Sequence, residues 1–194
     1  MELRRIDLDA DPLGQFQKWF DDAADVVRMR EAMAVATATA EGAPSVRMVL
    51  LKAADDRGLV FFTHYTSRKG RELEANRQTA LLFHWDPLGR QVRVEGRVER
   101  VSAEESDAYF ATRPAGARAG ARASRQSEVL GDREELERRV AELGEAALTR
   151  PDSWGGFRVV PEAWEFWQHR DDRLHDRFRY TRHAGAWLIE RLYP

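Results

Sequence analysis

The 194-residue sequence contains no cysteine. Disulfides, thiolate metal sites and cysteine nucleophiles are therefore excluded, and a reducing compartment fits, so the cytoplasm is the expected location. Long apolar runs are missing as well. No stretch approaches the ~18 residues of a membrane span, and the start, Met1-Glu2-Leu3-Arg4-Arg5-Ile6-Asp7, lacks the apolar segment of a signal peptide. No membrane partner is expected. Neither sign of charge dominates: 31 basic and 33 acidic residues give a formal net charge of -2. There is thus no global field to hold nucleic acid, and any anion site has to be local. The sequence has no GxGxxG after a strand, no Walker loop and no HExxH, the signatures of dinucleotide binding, NTP hydrolysis and zincin chemistry. The five histidines, His64, His84, His169, His175 and His183, lack metal-ligand spacing, and no metal is expected.

What is present reads as one α+β domain spanning residues 1-194. Apolar residues make up 43% and charged residues 33%, a globular balance. Leu13, Phe16, Trp19, Phe20, Ala23 and Val27 recur at helical spacing after Pro12 and predict a first helix. Strands are predicted at 32-40 and 45-53, joined by the Glu41-Gly42-Ala43-Pro44 turn, then at 59-63, 79-85 and 91-101. Further strands follow at 157-160, 164-168, 176-182 and 186-191. Ser67 is a suitable N-cap for a helix over 68-76, and Ser102 with Glu105 forms a capping box for one ending near Thr112. Asp132 with Glu135 repeats the signal, with Leu136, Val140 and Leu143 along one face. Short antiparallel strands with peripheral helices predict a barrel. The Ala/Gly/Arg tract 115-123 lacks apolar periodicity and predicts a mobile loop.

Several clusters could carry chemistry. Ser67-Arg68-Lys69-Gly70-Arg71 puts three cations in a first helical turn, where the macrodipole disfavours them. A bound phosphate would offset that cost, and a solvated basic turn is the plain alternative. In Arg173-Leu174-His175-Asp176-Arg177, an extended backbone would place Arg173, His175 and Arg177 on one face. That crowding fits a bound anion, or else a salt-bridged edge strand. Tyr109 and Arg113 are four apart on the second capped helix and share a face, as a stacking ring beside a guanidinium or as core plus helix-end charge. Arg47 and Lys52 sit in an apolar strand with opposite parity, and a buried cation there needs a partner. The run Trp164, Phe166, Trp167 reads as core, with Phe166 and Trp167 facing opposite sides.

Taken together, the strings Arg47-Met-Val-Leu-Leu-Lys52, Phe62-Thr63 before Ser67-Arg68-Lys69, Arg90-Gln91-Val92, Tyr109-Phe110 with Arg113-Pro114, Gln126-Ser127, Trp154-Gly-Gly156, Glu165-Phe-Trp167 and Arg173-Leu-His-Asp-Arg177 resemble the pyridoxine/pyridoxamine 5′-phosphate oxidase family from about Asp11 to Pro194. The resemblance implies an antiparallel Greek-key split β-barrel homodimer with two FMN sites built from both subunits, residues 154-194 completing barrel and interface. It implies FMN contacts from Arg47, Met48, Val49, Leu50, Leu51, Lys52, Phe62, Thr63, Arg68, Lys69, Gln91, Gln126, Ser127, Trp167 and Arg177. The implied substrate contacts are Lys52, Tyr109, Arg113, Arg173, Leu174 and His175, with Arg173 and His175 the catalytic pair. The implied reaction oxidises pyridoxine or pyridoxamine 5′-phosphate to pyridoxal 5′-phosphate with O2, releasing H2O2. The chain departs from the pattern at Ala117, where the family usually has a phosphate-binding serine, through the rest of 117-122, and at His169-Arg170, where the family has Gly-Gly. Those departures leave two alternatives: an FMN oxidase of another ring, of the phenazine-pathway type, or a non-catalytic flavin- or pyridoxal-phosphate-binding module.

Overall fold

The computed structural model describes residues 3-143 and 149-194. Nine strands form one antiparallel sheet that curls into a half-barrel: β1 (Ala32–Ala38), β2 (Pro44–Leu50), β3 (Ala53–Asp55), β4 (Gly58–His64), β5 (Gln78–Trp85), β6 (Arg90–Arg100), β7 (Trp154–Gln168), β8 (Asp176–His183) and β9 (Ala186–Arg191). The hydrogen-bonded order is β2-β1-β5-β6-β7-β4-β3, with β8 on the second half of β7 and β9 on β8. Helices α1 (Pro12–Asp22), α2 (Arg68–Ala75), α3 (Ala103–Thr112), α4 (Ala115–Ala123) and α5 (Arg133–Glu142) lie around it. Among the described residues, no helix is long and apolar enough to cross a membrane.

Period-two alternation builds the core. Met33 and Val35 of β1, Leu81 and Phe83 of β5, and Val92 and Val94 of β6 point inward, where Phe16 and Trp19 of α1 close over them. Phe16 packs 5.0 Å from Phe83 and 5.6 Å from Trp164 between ring centroids. Phe166 is buried and Trp167 is half-exposed, on opposite faces of β7 as their adjacency requires. The caps form as expected: Ser67 accepts from the Gly70 N–H and Ser102 from the Glu105 N–H.

Four expectations need correction. The 115-123 tract is helix α4 rather than a loop, because alanine and arginine are strong helix formers and the small side chains of Ala121 and Ala123 are buried. The segments 157-160 and 164-168 are one strand, β7, which runs through Pro161 because a register shift opposite Glu95 and Gly96 absorbs the missing N–H donor. Helix α1 stops at Asp22 instead of reaching Val27. Strand β2 stops at Leu50, so Lys52 is not a strand residue of opposite parity to Arg47; its N–H bonds the Val60 carbonyl at the start of the short β3–β4 hairpin.

Candidate active site

The site starts where β4 runs into α2. Gly70 is obligatory there: a Cβ would fall 2.2 Å from the Tyr65 carbonyl oxygen and 2.5 Å from that of His64. Only a glycine lets the first turn of α2 sit on the end of β4. That close seating carries Lys69 inward until it is 7% exposed. Its ammonium donates to Thr63 Oγ1 at 3.0 Å, Gln126 Oε1 at 2.8 Å and Ser67 Oγ at 3.4 Å. Every one of those acceptors is neutral. Burial first, then repulsion from Arg47, pushes the ammonium down to about 8.

Arg47 and Arg68 are held differently. Both reach Glu72, with Arg47 Nη2 3.2 Å from Oε2 and Arg68 Nε 2.8 Å from Oε1. Thr37 and Ser45 also donate to Oε2. Burial raises the affinity of this carboxyl for its proton, but the hydrogen bonds from Ser45, Thr37, Arg68 and Arg47 outweigh it and hold the group at about 2. One carboxylate thus fixes two guanidiniums, and the Arg47, Arg68, Lys69 and Glu72 group keeps a surplus of positive charge.

The opposite wall comes from α3 and β7. Phe62 stacks on Tyr109 at 4.1 Å and on Trp154 at 5.4 Å. Arg113, at the end of α3, lies 4.8 Å over the Trp154 ring, and its buried Nη1 has no hydrogen-bond partner among the described residues. Between the walls is a cleft of about 630 Å³ into which Lys52, Lys69, Arg113, His64, Thr63, Tyr109, Gln126 and Ala117 project, with Met48, Val49 and Leu50 along one edge. Among the described residues, no Asp or Glu lines it. His64 and Trp154 also line the cleft, positions that sequence reasoning left without a site role.

The remaining expected residues gather elsewhere. Register places Gln91 opposite Trp167 and Trp167 opposite Arg177. Arg177 is tied to Glu165 through Nε at 2.8 Å and Nη2 at 3.2 Å, which raises its affinity for its proton. The His175 ring lies 4.7 Å from that of Trp167. The extended arrangement expected for 173-177 does not form. Arg173 has φ 67° and sits in the turn before β8, so it shares no strand face with Arg177. Asp172 accepts from Arg170 and from the Leu174 N–H and shapes that turn, while Leu174 is exposed. Asp176 is fully buried, bonded to the Leu3 N–H and to Arg191. Ser127, next to Gln126, also holds a left-handed φ of 76°. Such backbone strain in two non-glycine residues is frequent at functional sites. None of the second group lines the first cleft.

A family profile described as "Pyridoxamine 5'-phosphate oxidase" matches residues 20–146, and one described as "Pyridoxine 5'-phosphate oxidase C-terminal dimerisation region" matches 154–194. The chain belongs to the pyridoxamine 5′-phosphate oxidase family. It is 56% identical over 191 residues to a pyridoxine/pyridoxamine 5′-phosphate oxidase of Rubrobacter xylanophilus, covering 96% of this chain and 88% of that protein. A Gluconobacter oxydans protein of the same name is 55% identical over 194 residues, covering 97% of each. Among solved structures, PhzG from Burkholderia lata 383, in complex with tetrahydrophenazine-1-carboxylic acid, superposes with a TM-score of 0.93 at 36% identity over 100% of this chain and 98% of that one. A pyridoxamine 5′-phosphate oxidase-related, FMN-binding protein of Nostoc punctiforme shares the fold, with a TM-score of 0.77 at 14% identity over 96% of this chain and 100% of that one. As a member of this oxidase family, the chain is an oxidoreductase with the family's split-barrel fold.

Proposed function

We propose that the protein is an FMN-dependent oxidase that converts pyridoxine or pyridoxamine 5′-phosphate to pyridoxal 5′-phosphate with O2. One observation carries this reading: a cleft with three cations and no carboxylate among its described lining residues, in which Lys69 is buried among neutral oxygens and the half-buried Arg113 keeps a buried Nη1 without a partner. Two phosphate-bearing ligands, cofactor and substrate, carry the negative charge that such a lining would bind.

The residues present fit FMN. Arg47, Arg68 and Lys69 would hold its phosphate, with Met48 to Lys52, Phe62, Thr63, Gln126 and Ser127 beside them and Gln91, Trp167 and Arg177 closing the site. Trp167 and Arg177 fall within the dimerisation-region profile over 154–194, and strand register gathers them with Gln91 away from the cleft, so we assign these three to the second subunit of a homodimer. The segment 154-194 then completes both the barrel of its own chain and the site of its partner. The chemistry that FMN supplies when bound is two-electron oxidation of the C4′ carbon of the pyridine, with O2 as final acceptor and H2O2 as product.

The protein binds and orients. Lys52, Tyr109 and Arg113 take the substrate phosphate, the unpartnered Nη1 of Arg113 supplying a ready donor. Arg173 and His175 orient the reacting carbon. His175 Nδ1 accepts the Arg170 N–H at 3.1 Å, so the neutral ring carries its proton on Nε2 and presents a donor there. The absorbance spectrum tests this reading: anaerobic pyridoxine 5′-phosphate should bleach a yellow protein. A flavoprotein bleached by neither B6 phosphate would overturn it.

A second reading has its own support. The likeness to PhzG, together with Ala117 on the cleft wall in place of a phosphate-binding hydroxyl, favours oxidation of a ring carboxylate of the phenazine type. Product analysis with dihydrophenazine carboxylates separates the two.

A further inference from the structure

His64 is a titratable residue of the cleft that the reading above leaves unused. It ends β4, where it pairs with Trp154 of β7. Its carbonyl accepts both the Ser67 N–H at 3.2 Å and the Ser67 hydroxyl at 2.7 Å, so the backbone that carries the ring is fixed by the cap of α2. The residue is 5% exposed and lines the cleft, yet neither ring nitrogen has a hydrogen-bond partner among the described residues. Neither nitrogen is sealed in protein without a partner; the ring opens onto the cleft, where a bound ligand can reach it. Its charged neighbours are Lys69 from α2 and Arg113 from the end of α3; Lys52 and Tyr109 line the same cleft. Burial, then these two cations, disfavours the imidazolium. The ring therefore lacks both an acceptor and a counter-charge.

We propose that His64 is a further anion-binding residue of this cleft, donating to a phosphate monoester oxygen of a bound ligand. A phosphate dianion supplies the acceptor and offsets the repulsion from Lys69 and Arg113 in the same step. The inference rests on the cleft receiving phosphorylated ligands, and the phosphate of either cofactor or substrate has the required chemistry. The sign follows from linkage. The free ring is neutral at pH 7, the complex favours its protonated form, and binding takes up a proton, so the contribution of His64 to affinity grows as pH falls below 7.

The test compares wild type with His64→Leu and with His64→Gln, which keeps a polar group but cannot take up a proton. FMN is titrated into FMN-stripped protein, and pyridoxal 5′-phosphate into holoprotein, across the histidine range of about pH 5.5 to 7.5. Riboflavin and pyridoxal serve as matched probes without phosphate. For one of the two phosphates, the wild-type advantage over both variants should widen by about tenfold toward the acid end, one pKa unit's worth. For its phosphate-free partner it should stay constant. The ligand's own second ionisation, near pH 6, is common to all three proteins and cancels in the ratio. Parallel pH profiles for both phosphates would overturn the role of His64 while leaving the oxidase reading intact. A wild type that binds neither phosphate would overturn both. If His64→Leu fails to fold, His64→Gln alone decides, since loss of proton uptake is the readout.

Discussion

Replacing Lys69 with methionine tests the anion cleft most directly. The ammonium is buried among neutral oxygens and sits at about 8, far below the ordinary lysine range. Only its protonated form attracts a phosphate, so the advantage it gives is nearly complete at pH 7 and is lost as pH rises through about 8. At pH 9 roughly a tenth of the free protein still carries the charge, and wild-type FMN affinity should be about tenfold weaker than at pH 7. In Lys69→Met a charge-assisted hydrogen bond is gone, a loss of about 1.5–3 kcal/mol, or roughly 10- to 150-fold in Kd at pH 7. The variant's affinity should be flat over that range, so the two curves converge at alkaline pH. The apoprotein moves the opposite way. A lysine whose folded-state value is depressed costs stability while protonated, and that cost fades as pH rises above about 8. Lys69→Met apoprotein should therefore melt higher than wild type at neutral pH, with the gap closing at alkaline pH. Flavin fluorescence titration and thermal melts read the two effects. Parallel affinity curves for wild type and variant across pH 7 to 9 would refute the reasoning.

Three further outcomes are expected. Gly70→Ala drives a Cβ against the Tyr65 carbonyl, and overpacking of that kind costs about 1–3 kcal/mol, to be seen as a lower Tm together with loss of bound flavin. Ala117→Ser adds a hydroxyl to the cleft wall; a new hydrogen bond to the substrate phosphate is worth about 0.5–1.5 kcal/mol, so KM for pyridoxine 5′-phosphate should fall by roughly two- to tenfold, and an unchanged KM would favour the ring-carboxylate reading. Arg173→Ala should slow anaerobic flavin reduction while the protein stays yellow, because the residue touches the substrate and not the cofactor in our assignment; a colourless protein would move it to the cofactor.

Much of this was legible from local rules. Ser67 and Ser102 announced their helices because a cap is a local hydrogen bond, and period-two alternation marked the strands. Helix α4 escaped because alanines leave no amphipathic stripe to read, though their propensity alone favours a helix. The convergence of Thr63, Lys69 and Gln126 was not local at all: up to 63 residues separate them, and only resemblance linked them before the structure did. His64 was missed because alternation would turn it away from Thr63, yet almost all of β4 is covered on both faces, so neighbouring residues are buried alike. Glu72 left a faint signal, since Arg68 lies four residues before it on the same helix face.

The residues assigned to the site are unevenly held, and that has a consequence for how its chemistry can change. Arg47, Arg68 and Arg177 are each tethered to a buried or nearly buried carboxylate, Glu72 or Glu165, on the framework of strands and α2. Helix α4 instead offers Ala117 and Gly120 to the cleft itself, which none of those three arginines lines, and a side chain added at Gly120 would meet open space. In our assignment, cofactor retention and substrate choice thereby fall on separate parts of the chain. A lineage, or an engineer, can resize one wall residue by residue and test new rings against an unchanged flavin anchorage.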